Sequence, residues 1–411
     1  MGFAITDRDR TIHAAGFGWA DPARRIPFTA RTIMPVGSVG KPFTSLALAK
    51  LARAGRIVLD APVARYLPWF QVRASRPITV RHLMNHAGGI PSGSDLAPWG
   101  AKYDPAALKG FRAAWTPGTR FHYSNTGYKA LGYVIEHVTG RPLREYYERE
   151  ILGPCGMRRS LGAVDTRSRS ACARGYWEWR DDMPRGRDRR LDPAPGTEYY
   201  RGDGAIVSCA EDLCAFARPY LRRREAVDET GAMRCWGTAR YASGWLLSRV
   251  GGHATIGHGG SHPGFCSCLS MDLDSGYGVA ILNNGPWGWL PAYDLVVHAL
   301  KLLAGRRAKP PRIPKPARSP RSIRVSSRWA AIAGTYRAHN PWLPVIRVFV
   351  RRGRLHVAGG PEEAARMWPG GPRRFKVGET RVTPETLAFD TVVDGRAQRA
   401  IYSGTPLYRV R

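Results

Sequence analysis

The sequence has little lysine and little acid. Only nine of its 63 basic residues are lysine, set against 32 Asp plus Glu, and the formal charge is +31. A chain this basic can bind polyanions or membrane surfaces. Here, however, the arginines are spread along the whole length, as a compositional bias would leave them. Only Arg306 to Arg324 is a dense basic run without acid, and its prolines suit a linker better than a recognition face. Nucleic acid is therefore not an expected partner. Any apolar run long enough to cross a bilayer is also lacking; the stretch Tyr293 to Leu303 is too short and carries His298 and Lys301. The seven cysteines (Cys155, Cys172, Cys209, Cys214, Cys235, Cys266 and Cys268) include no C-x-x-C pair. Neither a zinc site nor a redox motif is implied, and buried free thiols in a reducing compartment are expected. The opening MGFAITDRDR has no basic n-region and no apolar core of signal-peptide length. A cytoplasmic location is expected for the sequence as written, and a secreted or periplasmic one if a leader lies upstream. Its M-G-x-x-x-T start also fits a myristoylation pattern, but a glycine opening a strand is the expected reading.

What is present is ordinary for a globular protein: 43% hydrophobic and 23% charged residues over 411 positions. That length suggests two domains. Phe3 to Thr6 and Thr11 to Ala14 read as strands around the polar turn Asp7 to Arg10. Pro35 and Gly37 break the chain before Ser38, and Phe43, Leu46, Ala47 and Leu51 then recur at helical spacing, with Gly55 as a stop. Gly127 to Thr139, Leu143 to Ile151, Ala210 to Leu221 and Tyr293 to Leu303 read as further helices. Thr255-Ile256, Cys266 to Met271 and Tyr277 to Leu282 read as strands. Beyond residue 325 come short strands such as Val345 to Val350, Leu355 to Val357 and Gln398 to Tyr402. The turn pairs Arg352-Gly353 and Asp394-Gly395 separate them, which suggests a small barrel or sandwich. The expected division is residues 1–305, a basic proline-rich linker 306–324, and a β-rich domain 325–411.

Ser38-Val39-Gly40-Lys41 is the only S-x-x-K in the sequence. Residues three apart share a helix face, so the amine can reach the hydroxyl. The helix N-terminus favours developing negative charge on that oxygen. A serine hydroxyl becomes a useful nucleophile only when an adjacent base takes its proton. Read alone, the motif equally fits a serine N-cap with an exposed lysine. Tyr123-Ser124-Asn125 adds a phenol, which serves as a base only if a neighbouring cation such as Lys41 lowers its pKa. It also adds an amide able to face both substrate and Lys41; alone, it fits a buried aromatic beside a turn. In His258-Gly259-Gly260-Ser261, paired glycines mark a close approach of backbone or ligand. The backbone N–H groups of Ser261 and Ser38 would form an oxyanion hole, while the bland reading is a tight turn.

The order and spacing of these three elements resemble the serine β-lactamase-related family, which includes class C β-lactamases, low-molecular-mass penicillin-binding proteins and D-aminopeptidases. Flanking segments agree: Met34-Pro35-Val36-Gly37 before the serine, Leu59 to Val63 after its helix, and His82 to Ile90, similar to the family's HLLTHTSGL segment. Phe121 to Tyr128, Leu131 to Tyr133 and Ile135-Glu136 also match, as do Gly204, Ser208, Asp212 and Gly264-Phe265. The resemblance covers residues 2 to about 305. It implies an α/β (α+β) fold, with an antiparallel sheet flanked by helices and an α-helical subdomain, followed by a small all-β domain. Gly334-Thr335-Tyr336-Arg337 makes that tail similar to lipocalin-like domains. It further implies Ser38 as the acylated nucleophile, Lys41 and Tyr123 sharing base and acid duty, and Asn125, His258, Gly260 and Ser261 binding substrate. No metal or cofactor is implied. At the third motif class C β-lactamases carry lysine; His258 instead is similar to DD-peptidases, D-aminopeptidases and some esterases. The family ordinarily has a helix and part of a strand ahead of the position of residue 2.

The expectation is thus a serine acyl hydrolase acting on a small-molecule or peptide substrate, with D-amino-acid peptides or esters favoured over β-lactams. The alternatives are a β-lactamase, an acyl-transferring transpeptidase or peptide cyclase, or, from another class, an inactive binding protein or polyanion binder. Inactive members of such a family lose the serine or the lysine, and both are present here. The sequence leaves the oligomeric state open.

Overall fold

The computed structural model describes residues 1–92, 111–177, 192–194, 196, 198–285, 289–306, 308–311, 327–338, 340, 343–359 and 364–410. Most of the expected linker 306–324 lies outside them.

The larger part of the chain is built on an eight-stranded antiparallel sheet. Its strands are β1 (Gly2–Thr6), β2 (Thr11–Gly16), β3 (Met233–Arg234), β4 (Arg240–Ala242), β5 (Trp245–Val250), β6 (His253–His262), β7 (Phe265–Asp272) and β8 (Tyr277–Asn283), in the order β2-β1-β8-β7-β6-β5-β4-β3. The alternation of a pleated strand decides which helix each residue meets. Cys266, Cys268, Val279 and Ile281 point to a helix over Trp289–Leu303, packing on Ala292, Val296 and Leu300. Leu269, Met271, Ala280 and Leu282 point the other way, into the main core beneath the helix Ala210–Leu221. The sheet is therefore covered on both faces. All seven cysteines are unpaired.

Helix α1 (Lys41–Arg53) is buried along most of its length and reaches the Ala210–Leu221 helix through stacked Phe43 and Phe216 rings, 3.8 Å apart. Gly55, at φ +68°, follows its end, and the Arg56 N–H returns to the Leu51 carbonyl. A second helix, α2 (Asn125–Thr139), starts two residues earlier than the apolar spacing predicts. The reason is a local cap: the Ser124 hydroxyl accepts from the Gly127 N–H, one of the donors that a helix start leaves unpaired. The helix expected over 143–151 also differs. It is α-helical only over Leu143–Tyr147 and widens to a π-turn over Glu148–Leu152. No described helix is long and apolar enough to cross a membrane.

The C-terminal part is a closed antiparallel barrel of eight strands, β9 (Gly334–Arg337), β10 (Val345–Arg351), β11 (Arg354–Gly359), β12 (Ala365–Gly371), β13 (Arg374–Val377), β14 (Thr386–Val393), β15 (Arg396–Tyr402) and β16 (Thr405–Arg409). Its interior is a separate apolar cluster that includes Tyr336, Ile346, Val348, Phe375 and Phe389. Arg352-Gly353 and Asp394-Gly395 both have positive φ at each residue, the mirror-image turn that joins two strands most tightly.

Candidate active site

Ser38 lies in a 3₁₀ turn, Gly37–Gly40, that leads directly into α1, so Lys41 is the first residue of the α-helix. Neither residue has the bland role that the motif also allows. The serine hydroxyl caps no helix, and the lysine is wholly buried. The Lys41 amine makes three hydrogen bonds: 2.9 Å to Ser38 Oγ, 2.7 Å to Asn125 Oδ1 and 2.8 Å to the Asp203 carbonyl. Burial pulls its pKa down to about 7; Asp203 opposes this and buried Lys129 adds to it. The partners also settle what a neutral amine would do. Asn125 Oδ1 and the Asp203 carbonyl can only accept. A deprotonated Lys41 therefore spends its two hydrogens on them and presents its lone pair to the Ser38 hydroxyl.

Tyr123 shares a hydrogen bond with Ser38. The Lys41 nitrogen stands 4.8 Å from the centre of its ring. The expectation that Lys41 lowers the Tyr123 pKa needs correcting. Burial dominates and raises it well above the ordinary phenol value, and the bond to Ser38 offsets only part of this. In the resting site the phenol is a proton donor.

The Tyr123-Ser124-Asn125 segment is fixed by its neighbours. The Ser124 N–H donates to His86 Nδ1 at 3.0 Å, and its hydroxyl donates to the Pro91 carbonyl at 2.6 Å. His86 is buried among the rings of Tyr123, Phe121, Tyr128 and Tyr241, with its ring centre 4.2 Å from that of Tyr123. Burial, followed by the charge of Lys41, pushes its pKa well down, so it is neutral. Since Nδ1 accepts, Nε2 carries the hydrogen, and it has no hydrogen-bond partner among the described residues.

The third motif is strand, not turn. His258 to Ser261 lie within β6, and Gly260 is where other backbone comes close. A Cβ on Gly260 would sit 2.0 Å from the Val36 carbonyl, and one on Gly37 would sit 2.3 Å from the Ser261 carbonyl. Gly37 also has φ +53°, a conformation that favours glycine. Strand β5 pairs with β6 only from His253 to Gly257. The following residues, His258 to His262, pair with β7 on the other side and lie against the turn that bears Ser38.

His258 is buried, and its pKa falls to about 3, through burial first and then the charge of Lys41. Both ring nitrogens are engaged: Nδ1 at 2.6 Å from the Gly259 carbonyl and Nε2 at 2.9 Å from the Tyr241 hydroxyl. A carbonyl only accepts, so Nδ1 carries the hydrogen and Tyr241 donates to Nε2. The mouth of the site is aromatic, with half-exposed Trp236 5.3 Å from Phe121 and 6.4 Å from Tyr123.

The structure thus brings Ser38, Lys41, Tyr123 and Asn125 into one hydrogen-bonded group, with Gly260 and Ser261 of β6 against the serine turn and His258 beside it. Three participants had no sequence signal of their own. Asp203 contributes a backbone carbonyl, Tyr241 meets His258 only through strand packing, and nothing in the His82 to Ile90 segment sets His86 apart from its neighbours.

A profile of the family described as Beta-lactamase matches residues 1–299. A curated D-aminopeptidase of Cereibacter sphaeroides is 27% identical over 322 residues, covering 73% of this chain and 60% of that protein. The chain thus spans less than two thirds of that relative's length. Among solved structures, the octameric penicillin-binding protein homologue from Pyrococcus abyssi superposes with a TM-score of 0.64 at 24% identity, covering 99% of this chain and 96% of that one. The D-amino acid amidase from Ochrobactrum anthropi superposes with a TM-score of 0.57 at 25% identity, covering 69% of this chain and 86% of that one.

Proposed function

The chain belongs to the beta-lactamase family, and from that membership we propose that it hydrolyses amides or esters of D-amino acids through an acyl-enzyme on Ser38. The observation that carries the reading is the buried Lys41 amine, whose two acceptor-only partners leave its lone pair for the Ser38 hydroxyl. In this reading residues 1–305 form the hydrolase unit and residues 325–411 a β domain appended to it.

Acylation then runs as follows. Lys41 takes the Ser38 proton as Oγ bonds to the substrate carbonyl carbon. Negative charge on the former carbonyl oxygen is met by the backbone N–H groups of Ser38 and Ser261. Tyr123, kept protonated by its burial, gives its proton to the leaving nitrogen or oxygen as that bond breaks. The proton held by Lys41 passes to the Tyr123 phenolate beside it, not through the acylated Ser38 oxygen, so the pair ends the step as it began. Water attacks the acyl-enzyme by the same route in reverse. Asn125 holds Lys41 and faces the substrate amide.

The preference for amides and esters over β-lactams rests on His258. A fixed cation at this position would attract the carboxylate that β-lactams carry. This imidazole is neutral and already bonded to Tyr241 and Gly259. The names of the D-aminopeptidase and D-amino acid amidase relatives support the stereochemistry.

Two measurements test the proposal. Intact-protein mass spectrometry after exposure to a fluorophosphonate is expected to find one adduct that disappears in Ser38→Ala; an adduct that persists sinks the nucleophile assignment. Turnover of D-alanine p-nitroanilide is expected to exceed that of the L-enantiomer and of nitrocefin. Nitrocefin turnover ahead of both would make the protein a β-lactamase instead.

A further inference from the structure

Glu385 immediately precedes β14 of the barrel, 263 residues from His122, yet the two side chains meet at 2.9 Å. It is a buried carboxylate, only 8% exposed. Oε1 accepts from His122 Nε2 and, at 2.6 Å, from the Ser92 N–H, while Oε2 accepts from the Ser403 hydroxyl of its own domain. Burial works to raise its pKa, but the bonds from His122, Ser403 and Ser92 outweigh this and hold it below the ordinary carboxylate value.

What Glu385 grips is significant. His122 directly precedes Tyr123, and its own N–H is tied to the His86 carbonyl at 2.8 Å. The Ser92 carbonyl accepts from both the N–H and the hydroxyl of Thr126, at 3.1 and 3.2 Å, and Thr126 directly follows Asn125. One carboxylate from the barrel therefore holds both ends of Tyr123-Ser124-Asn125, the segment that reaches Ser38 and Lys41.

We infer that Glu385 is a positioning residue for acylation, by which the C-terminal barrel fixes the proton donor Tyr123 and the Lys41 partner Asn125 from outside the hydrolase fold. The inference rests on the proposed function of that site. A misplacement of about 1 Å there is enough to lower the rate about 10²-fold.

The test uses the full chain and p-nitrophenyl acetate. Glu385→Ala is expected to lower kcat at least about tenfold while KM stays within about twofold, since only transition-state placement is lost. Glu385→Gln is expected to recover most of the loss. Its amide oxygen can still accept from Ser92 and His122, and its amide hydrogens can face Ser403. Asp390→Asn, which breaks an exposed pair between β14 and Arg399 of the neighbouring β15, is expected to leave kcat unchanged. If Glu385→Ala does not fold, His122→Ala with rescue by His122→Gln reads the same link from the other side. Unchanged kcat in the alanine variant, or a loss that glutamine does not relieve, overturns the inference. Ser38→Ala and Tyr123→Phe, assayed in parallel, separate the two claims. Activity surviving in them counts against the proposed function, whereas its loss there with full activity in Glu385→Ala counts against the role of Glu385 alone.

Discussion

The two β systems of this molecule are filled by opposite rules. The barrel closes on itself, and the side chains of its interior cluster are apolar, apart from the hydroxyl of Tyr336, which donates to the Ile332 carbonyl at 2.8 Å and accepts from Arg409. The sheet domain instead buries Lys41, His86, His258 and Asp203 around the end of β6, whose outer edge has no strand partner among the described residues beyond Gly257. A closed barrel has no edge to leave open. Chemistry needs both an open edge and polar groups out of water, and each lowers the stability of the part that holds it. The comparison teaches where substitutions should act: on rate in the sheet domain and, apart from Glu385 where the barrel grips the site, on stability in the barrel.

The sharpest way to break that division is through Lys41 and Tyr123. Lys41→Ala and Tyr123→Phe should each lower kcat/KM about 10² to 10⁴-fold, as loss of a general base or acid does. The double variant should lose little more, because groups acting as a unit are not additive. Multiplying losses would mean they act separately. Next in size is Gly260→Ala. Its new methyl meets the Val36 carbonyl at 2.0 Å, so β6 or the Ser38 turn must move, and a rate loss of about 10²-fold is expected. Wild-type turnover in that variant would show that the close contact is not what places Ser38.

A smaller, graded effect comes from pH. The working form of Lys41 is the neutral amine, and its pKa is lowered to about 7. The rate should therefore rise about tenfold per pH unit below 7 and level off above it. A rate that falls as pH climbs through 7 would make the ammonium the active form. The smallest change belongs to the barrel. Tyr336→Phe removes a buried hydroxyl and should cost about 1 kcal/mol of stability, read as a lower Tm, with kcat unaltered.

The same contrast decides what was legible in the sequence. Alternation and turn chemistry identify a β-rich tail, and Arg352-Gly353 and Asp394-Gly395 mark two of its hairpins. A third hairpin, at Ser403-Gly404, also has positive φ at both residues. In the sheet domain the S-x-x-K spacing fixes how Ser38 and Lys41 meet, because one helical turn suffices. The remaining partners depend on distance in the fold. The Asp203 carbonyl leaves no trace in residue identity. The Tyr241–His258 bond depends on how β4 and β6 face each other, and the Glu385–His122 contact on how a barrel loop docks. The sign of the Tyr123 shift is hidden for the same reason: a neighbouring cation is visible in a sequence, but burial is not.

The edge of β6 beyond Gly257, without a strand partner among the described residues, carries a further consequence, for handedness. A substrate hydrogen-bonded along His258 to His262 would have its backbone path set by that edge. Its side chain must then stand on one face of the extended strand or the other. Mirror-image residues that follow the same path choose opposite faces. Preference for one enantiomer would thus be set by which face is crowded, and the rings of Tyr123 and Tyr241 beside His258 crowd one end of that edge. Trp236 and Phe121, which pack behind those rings, are where that crowding can be altered while Ser38, Lys41 and Tyr123 remain as they are.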